Sequence, residues 1–63
     1  MFEEAVLAEQ FTKLLAQEKE AERMYAGLAG SADDPGVRSE AERFRRDKQR
    51  HVRLARRLLE IVQ

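Results

Sequence analysis

Sixty-three residues make one folded unit near the lower size limit for a self-sufficient core, and the absence of cysteine removes both disulfide support and thiolate metal ligation. Charged residues are 38% of the chain and apolar ones 43%, with three glycines and one proline, a balance that suits soluble helices better than disorder. Twelve basic and twelve acidic residues cancel, which disfavours a nonspecific nucleic-acid binder, and no apolar run approaches the roughly 20 residues that span a bilayer.

That neutral total hides an asymmetry. Residues 1–30 hold six acids and three bases, while residues 31–63 hold nine bases and six acids. Complementary halves favour antiparallel packing, within one chain or between chains, although each exposed ion pair adds only about 0–1 kcal/mol. The opening Met1, Phe2, Glu3, Glu4 is acidic where a secretory leader would be basic, so a cytoplasmic protein is expected.

In chain order, the first element expected is a helix over about residues 2–29. Leu7, Phe11, Leu14, Glu18, Ala21, Tyr25 and Leu28 recur at alternating steps of four and three, the rhythm of a buried helix seam. Val6, Ala8, Leu15 and Met24 widen that stripe, and good helix formers fill the remainder. Glu18 is the charged member of the series. A turn over residues 30–36 follows, with Gly30 expected as a left-handed cap. Asp34 before Pro35 fits an N-cap with proline in the first helical position, where its missing N–H costs nothing.

A second helix is expected over about residues 37–62. Its seam reads Val37, Ala41, Phe44, Lys48, His51, Ala55, Leu58 and Val62. Lys48 and His51 lie three residues apart and so share a face. A buried ammonium without a partner is very costly, so Lys48 needs a partner or a path for its head group to reach water. Counting outward from the turn at 1.5 Å per residue brings Glu18 level with Lys48 and His51. One polar layer is therefore expected between apolar layers, with Glu18 and Lys48 as an internal ion pair. Tyr25 and Phe44 are expected as core aromatics, and Asp47 and Glu22 as residues flanking the seam.

Two helices cannot enclose a core. A lone hairpin would leave Phe2, Phe11, Leu15, Phe44, Leu54, Leu59 or Ile61 partly in water, so a homodimer or higher oligomer is expected.

Glu18, Tyr25 seven residues later, a short turn, Phe44, and His51 followed by Leu54, Leu58 and Leu59 together resemble half of a ferritin-like domain. The likeness is to rubrerythrin and bacterioferritin, whose halves carry a Glu on one helix and Glu-x-x-His on the next. It spans about residues 11–62. The resemblance implies an all-α fold: an antiparallel two-helix hairpin, residues 1–63, that dimerises into a ferritin-like four-helix bundle. It matches Glu18 and His51 to metal ligands and puts Lys48 where the second glutamate would stand. A protonated lysine has no lone pair and cannot bridge two metals. Two Lys48 in a dimer would instead supply the positive charge that iron supplies in the relatives.

The expectation is then a structural or partner-binding module with no cofactor and no intact ferroxidase centre, which leaves enzymatic activity open but disfavoured. The alternative is a metal-binding protein with a redox or storage role, in which Glu18 and His51 from two chains hold one Fe, Mn or Zn ion. Catalytic alternatives are poor. No cysteine is present, Ser31 lies in the turn, Thr12 is remote from His51, and no glycine-rich phosphate loop occurs.

Arg43, Arg46, Arg50, Arg53 and Arg57 form a further series on the far side of the second helix, with Arg45 and Arg56 beside it. The simple reading is a solvated face supported by Glu42, Asp47 and Glu60 through helix-spaced pairs. The sharper one is an adaptor surface for an acidic protein. No aromatic residues interleave with the arginines, which again disfavours nucleic acid.

Overall fold

The structure is a computed structural model that describes residues 2–63, except for the side chain of Phe2. Expectations that named Met1 or the Phe2 side chain therefore lie outside the described residues. Two helices, α1 (Phe2–Ser31) and α2 (Pro35–Val62), pack side by side as a hairpin measuring 50 × 13 × 11 Å across its Cα atoms. No strand occurs among the described residues, and neither helix is long and apolar enough to cross a membrane.

The connection is tighter than the turn expected over residues 30–36. α1 runs through both of its glycines, and no glycine among the described residues has positive φ, so Gly30 is not a left-handed cap. Local partners keep the helix going. The Ala32 N–H donates to the Leu28 carbonyl at 2.9 Å, and Ser31 Oγ donates to the Gly27 carbonyl at 2.9 Å. Arg38 then reaches back from α2, and its Nε and Nη2 donate to the Ala32 carbonyl at 3.2 and 2.9 Å. A cation at the end of α1 meets the negative pole of that helix, which explains why no glycine cap is needed.

Asp34 starts α2. Its backbone is extended (φ −74°, ψ 122°), and its Oδ1 accepts from the N–H groups of Gly36 at 2.7 Å and Val37 at 3.1 Å. Pro35 occupies the first turn, where it withdraws no needed donor.

The contact between the helices is displaced by one residue at alternate positions of each expected seam. On α1 the shielded side chains include Ala8, Phe11, Leu15, Glu18, Glu22, Tyr25 and Ala29. On α2 they include Ala41, Arg45, Lys48, Val52, Ala55, Leu59 and Val62. The three-and-four rhythm persists, yet Leu7, Leu14, Leu28, Val37 and Phe44 stay 36–45% exposed beside it. Phe44 is thus a flank residue and not the core aromatic that its place in the period suggested.

The reason lies in side-chain size. The buried apolar residues are Ala29, Ala41, Val52 and Ala55, and no large side chain is fully enclosed. Alanine at a crossing lets two helix backbones approach closely, whereas leucine there would hold them apart. The alanines and Val52 are buried on the line of contact, where Phe11, Leu15, Tyr25 and Leu59 are half-buried, and Leu7, Leu14, Leu28, Val37 and Phe44 stand beside it.

Those next to the seam lie to one side of it. The large apolar residues left exposed are Val6, Leu7, Leu14, Met24 and Leu28 on α1 and Val37, Phe44, Leu54 and Ile61 on α2. At 3.6 residues per turn Leu7, Leu14 and Leu28 lie on one flank of α1 and Val37 and Phe44 on one flank of α2, while Leu54 and Ile61 turn toward the Arg43 and Arg50 side. Because the helices run in opposite directions, both flanks open onto the same face of the hairpin. The other face carries Lys19, Glu22, Arg23 and Ala26 of α1 and Arg56 of α2 around the edge of Val52.

Candidate functional site: a polar layer at mid-hairpin

Glu18 stands on the same seven-residue line of α1 as Phe11 and Tyr25, so it points into the hairpin like its apolar neighbours. Lys48 and His51 lie one turn apart on α2, opposite it. Lys48 Nζ and His51 Nδ1 are each 3.2 Å from the same oxygen, Glu18 Oε2. The structure thus brings together all three residues of the layer.

Their surroundings differ. The Glu18 side chain is 16% exposed, that of Lys48 28% and that of His51 53%. One carboxylate and one ammonium cancel, so the layer is neutral while the imidazole is uncharged. A neutral imidazole that donates from Nδ1 to the carboxylate keeps its lone pair on Nε2.

About two turns nearer the connection, the rings of Tyr25 and Phe44 lie 5.3 Å apart and tilted by 38°. The Arg43 guanidinium sits 5.4 Å from the Phe44 ring centre, within cation–π range. Tyr25, Leu28, Val37, Ala41 and Phe44 line a shallow apolar groove that opens on the leucine-bearing face.

As a metal site the layer provides one carboxylate and one imidazole per chain. Among the described residues no group of three or more His, Asp or Glu converges. Asp47 is paired with Arg50, and Glu22 borders the opposite face, so neither faces the layer as an extra donor. A dinuclear centre, which relies on bridging carboxylates, does not fit this donor set. A single ion drawing Glu18 and His51 from two chains fits in donor type, provided that Lys48 leaves the carboxylate.

The arginine series divides in two. Arg43 pairs with Glu40 at 3.1 Å and Arg50 pairs with Asp47, while Arg46, Arg53 and Arg57 have no carboxylate in ion-pair range among the described residues. All five are exposed, on the side of α2 away from α1. Space among Arg43, Arg46, Arg50 and Arg53 is walled by one helix alone and is open surface.

Arg45 is the residue whose place the sequence reading missed. Grouped there with the exposed arginines, it turns instead toward the hairpin seam and pairs with Glu42 at 3.1 Å. Its Nε is enclosed without a hydrogen-bond partner. The signal was available, since Arg45 stands seven residues before Val52 and fourteen before Leu59, both on the contact line. The Thr12 hydroxyl donates to the Ala8 carbonyl of its own helix at 2.7 Å, as Ser31 does to Gly27, so neither is poised as a nucleophile. Comparison with family models, curated proteins and solved structures finds no match to this chain.

Proposed function

We propose that the chain is a structural or partner-binding helical module, ferritin-like in layout, that acts as a homodimeric four-helix bundle and balances its central layer with Lys48 in place of metal ions. A cytoplasmic setting belongs to the same proposal. The observation that carries it is the convergence of Lys48 Nζ and His51 Nδ1 on one oxygen of Glu18. A carboxylate shielded to 16% needs a compensating charge, and the lysine supplies it from within the chain. In a dimer the layer holds two carboxylates and two ammoniums, so no cation is required for neutrality. Such a pair adds little net stability but penalises any register that separates the charges.

Elemental analysis of protein purified without chelator tests this reading. The expected result is no stoichiometric metal, in the parent and in His51→Ala alike. Stoichiometric Fe, Mn or Zn that disappears in His51→Ala would overturn the proposal in favour of a metal-handling protein using Glu18 and His51.

A further inference from the structure

We propose that the leucine-bearing face of the hairpin is the seat of a second copy of this chain, laid so that its own leucine-bearing face turns inward and the two Glu18–Lys48–His51 layers meet. This inference rests on the dimeric reading above and names the surface through which it acts. Three observations carry it.

The first is one-sidedness. Leu7, Leu14, Leu28, Val37 and Phe44 are exposed on this face, Leu54 and Ile61 turn toward the Arg43 and Arg50 side, and none of these falls on the side of Lys19, Glu22, Arg23 and Arg56. Leu7, Leu14 and Leu28 on α1, and Val37, Phe44 and Leu58 on α2, follow seven-residue lines beside the seam within the chain. That spacing accepts another pair of helices, because side chains at such steps interlock with a partner of the same period.

Area is the second. The chain exposes 4867 Å² at a mass of 7.3 kDa. A folded monomer of that mass exposes about 4,200 Å². The excess reflects the elongated 50 × 13 × 11 Å shape, in which two helices leave the leucine-bearing face without a third element to cover it.

Charge is the third. Glu18 and Lys48 in the seam at mid-height already cancel, so a second copy brings no uncompensated charge into the covered layer. A two-fold contact sets the face against itself, apolar rows on apolar rows and layer on layer. An acidic or basic partner would find no net opposite charge in this layer to pair with.

Because the chain has no cysteine, single thiols report on the two faces without interference. Leu14→Cys places one on the leucine-bearing face and Ala26→Cys one on the opposite face. Sedimentation of the full chain from micromolar to millimolar concentration is expected to pass from one copy to two. Over the same range, maleimide labelling of Leu14→Cys is expected to slow by about tenfold or more while that of Ala26→Cys stays constant. Leu14→Glu is expected to hold the chain at one copy, and Ala26→Glu to leave the dimer intact. A chain that remains single at millimolar concentration overturns both this inference and the dimeric reading. A dimer that protects Ala26→Cys, or that protects neither thiol, leaves the dimeric reading standing and overturns the choice of face. The cysteine variants decide the matter even if Leu14→Glu loses its helical structure.

Discussion

On one face of the hairpin Leu7, Leu14 and Leu28 stand beside Val37, Phe44 and Leu58; on the other, Lys19, Glu22 and Arg23 stand beside Arg56. Both faces belong to the same two helices and flank the same line of contact. What separates them is which residues flank that line. Ala29, Ala41 and Ala55 occupy the crossing, so the helices come close, and Leu7, Leu14, Leu28, Val37 and Phe44 stand beside it. The leucine-bearing face is apolar because Leu7, Leu14, Leu28, Val37 and Leu58 stand there, while charged residues hold the corresponding positions on the other side.

The largest expected effect comes from forcing the two faces apart at that line. Ala55 is 1% exposed, and Ala55→Leu adds three carbons where the backbones approach. A loss of about 1–3 kcal/mol is expected from overpacking. Urea unfolding at fixed protein concentration measures it, since any self-association makes stability depend on concentration. A change below about 0.5 kcal/mol would mean that the alanine line does not set the separation of the helices.

Next in size is the polar layer between the faces. Lys48→Glu sets a second carboxylate beside Glu18 and removes the ammonium that balanced it. In the absence of metal it is expected to cost about 1–2 kcal/mol, below the value for a fully buried pair because Lys48 keeps 28% of its side-chain exposure. Added Mn²⁺ or ferrous iron is expected to recover part of the loss, because the variant gains the carboxylate donor that the lysine withheld. Lys48→Met leaves Glu18 without its ammonium and is expected to cost about 1 kcal/mol, less than Lys48→Glu because it adds no second carboxylate. Equal unfolding midpoints for Lys48→Glu and the parent would remove the layer as an energetic unit.

How much of this was legible in the sequence depends on the element. Asp34 and Pro35 fixed the start of α2 because capping chemistry is local, needing only an acceptor and a ring at the right positions. The layer was legible because Glu18 and Lys48 sit on the centre line of each stripe, where small errors of rotation leave a side chain facing its partner. Alternate seam positions were not legible. Leu14 and Leu15 are adjacent leucines, as are Leu58 and Leu59, and period alone cannot say which of each pair meets the other helix. The structure chooses Leu15 and Leu59 through the alanines beside them. Arg45 followed the same displacement into the seam. The end of α1 was misjudged for another reason: Gly30 is a local stop signal, and the Arg38 side chain that overrides it arrives from beyond the turn.

The smallest expected effect concerns the charged face itself. Arg56 borders the edge of Val52 together with Lys19, Glu22, Arg23 and Ala26, and it forms no ion pair among the described residues. If that face is solvated, Arg56→Ala removes a charge that water already served and a stem that covers part of Val52. The expected change in urea-unfolding stability is within about 0.5 kcal/mol, with the oligomeric state untouched. Loss of more than about 1 kcal/mol, or a shift in solution mass, would place packing on the charged face as well. The contrast between the faces would then be one of chemistry alone, with partners able to dock on either side.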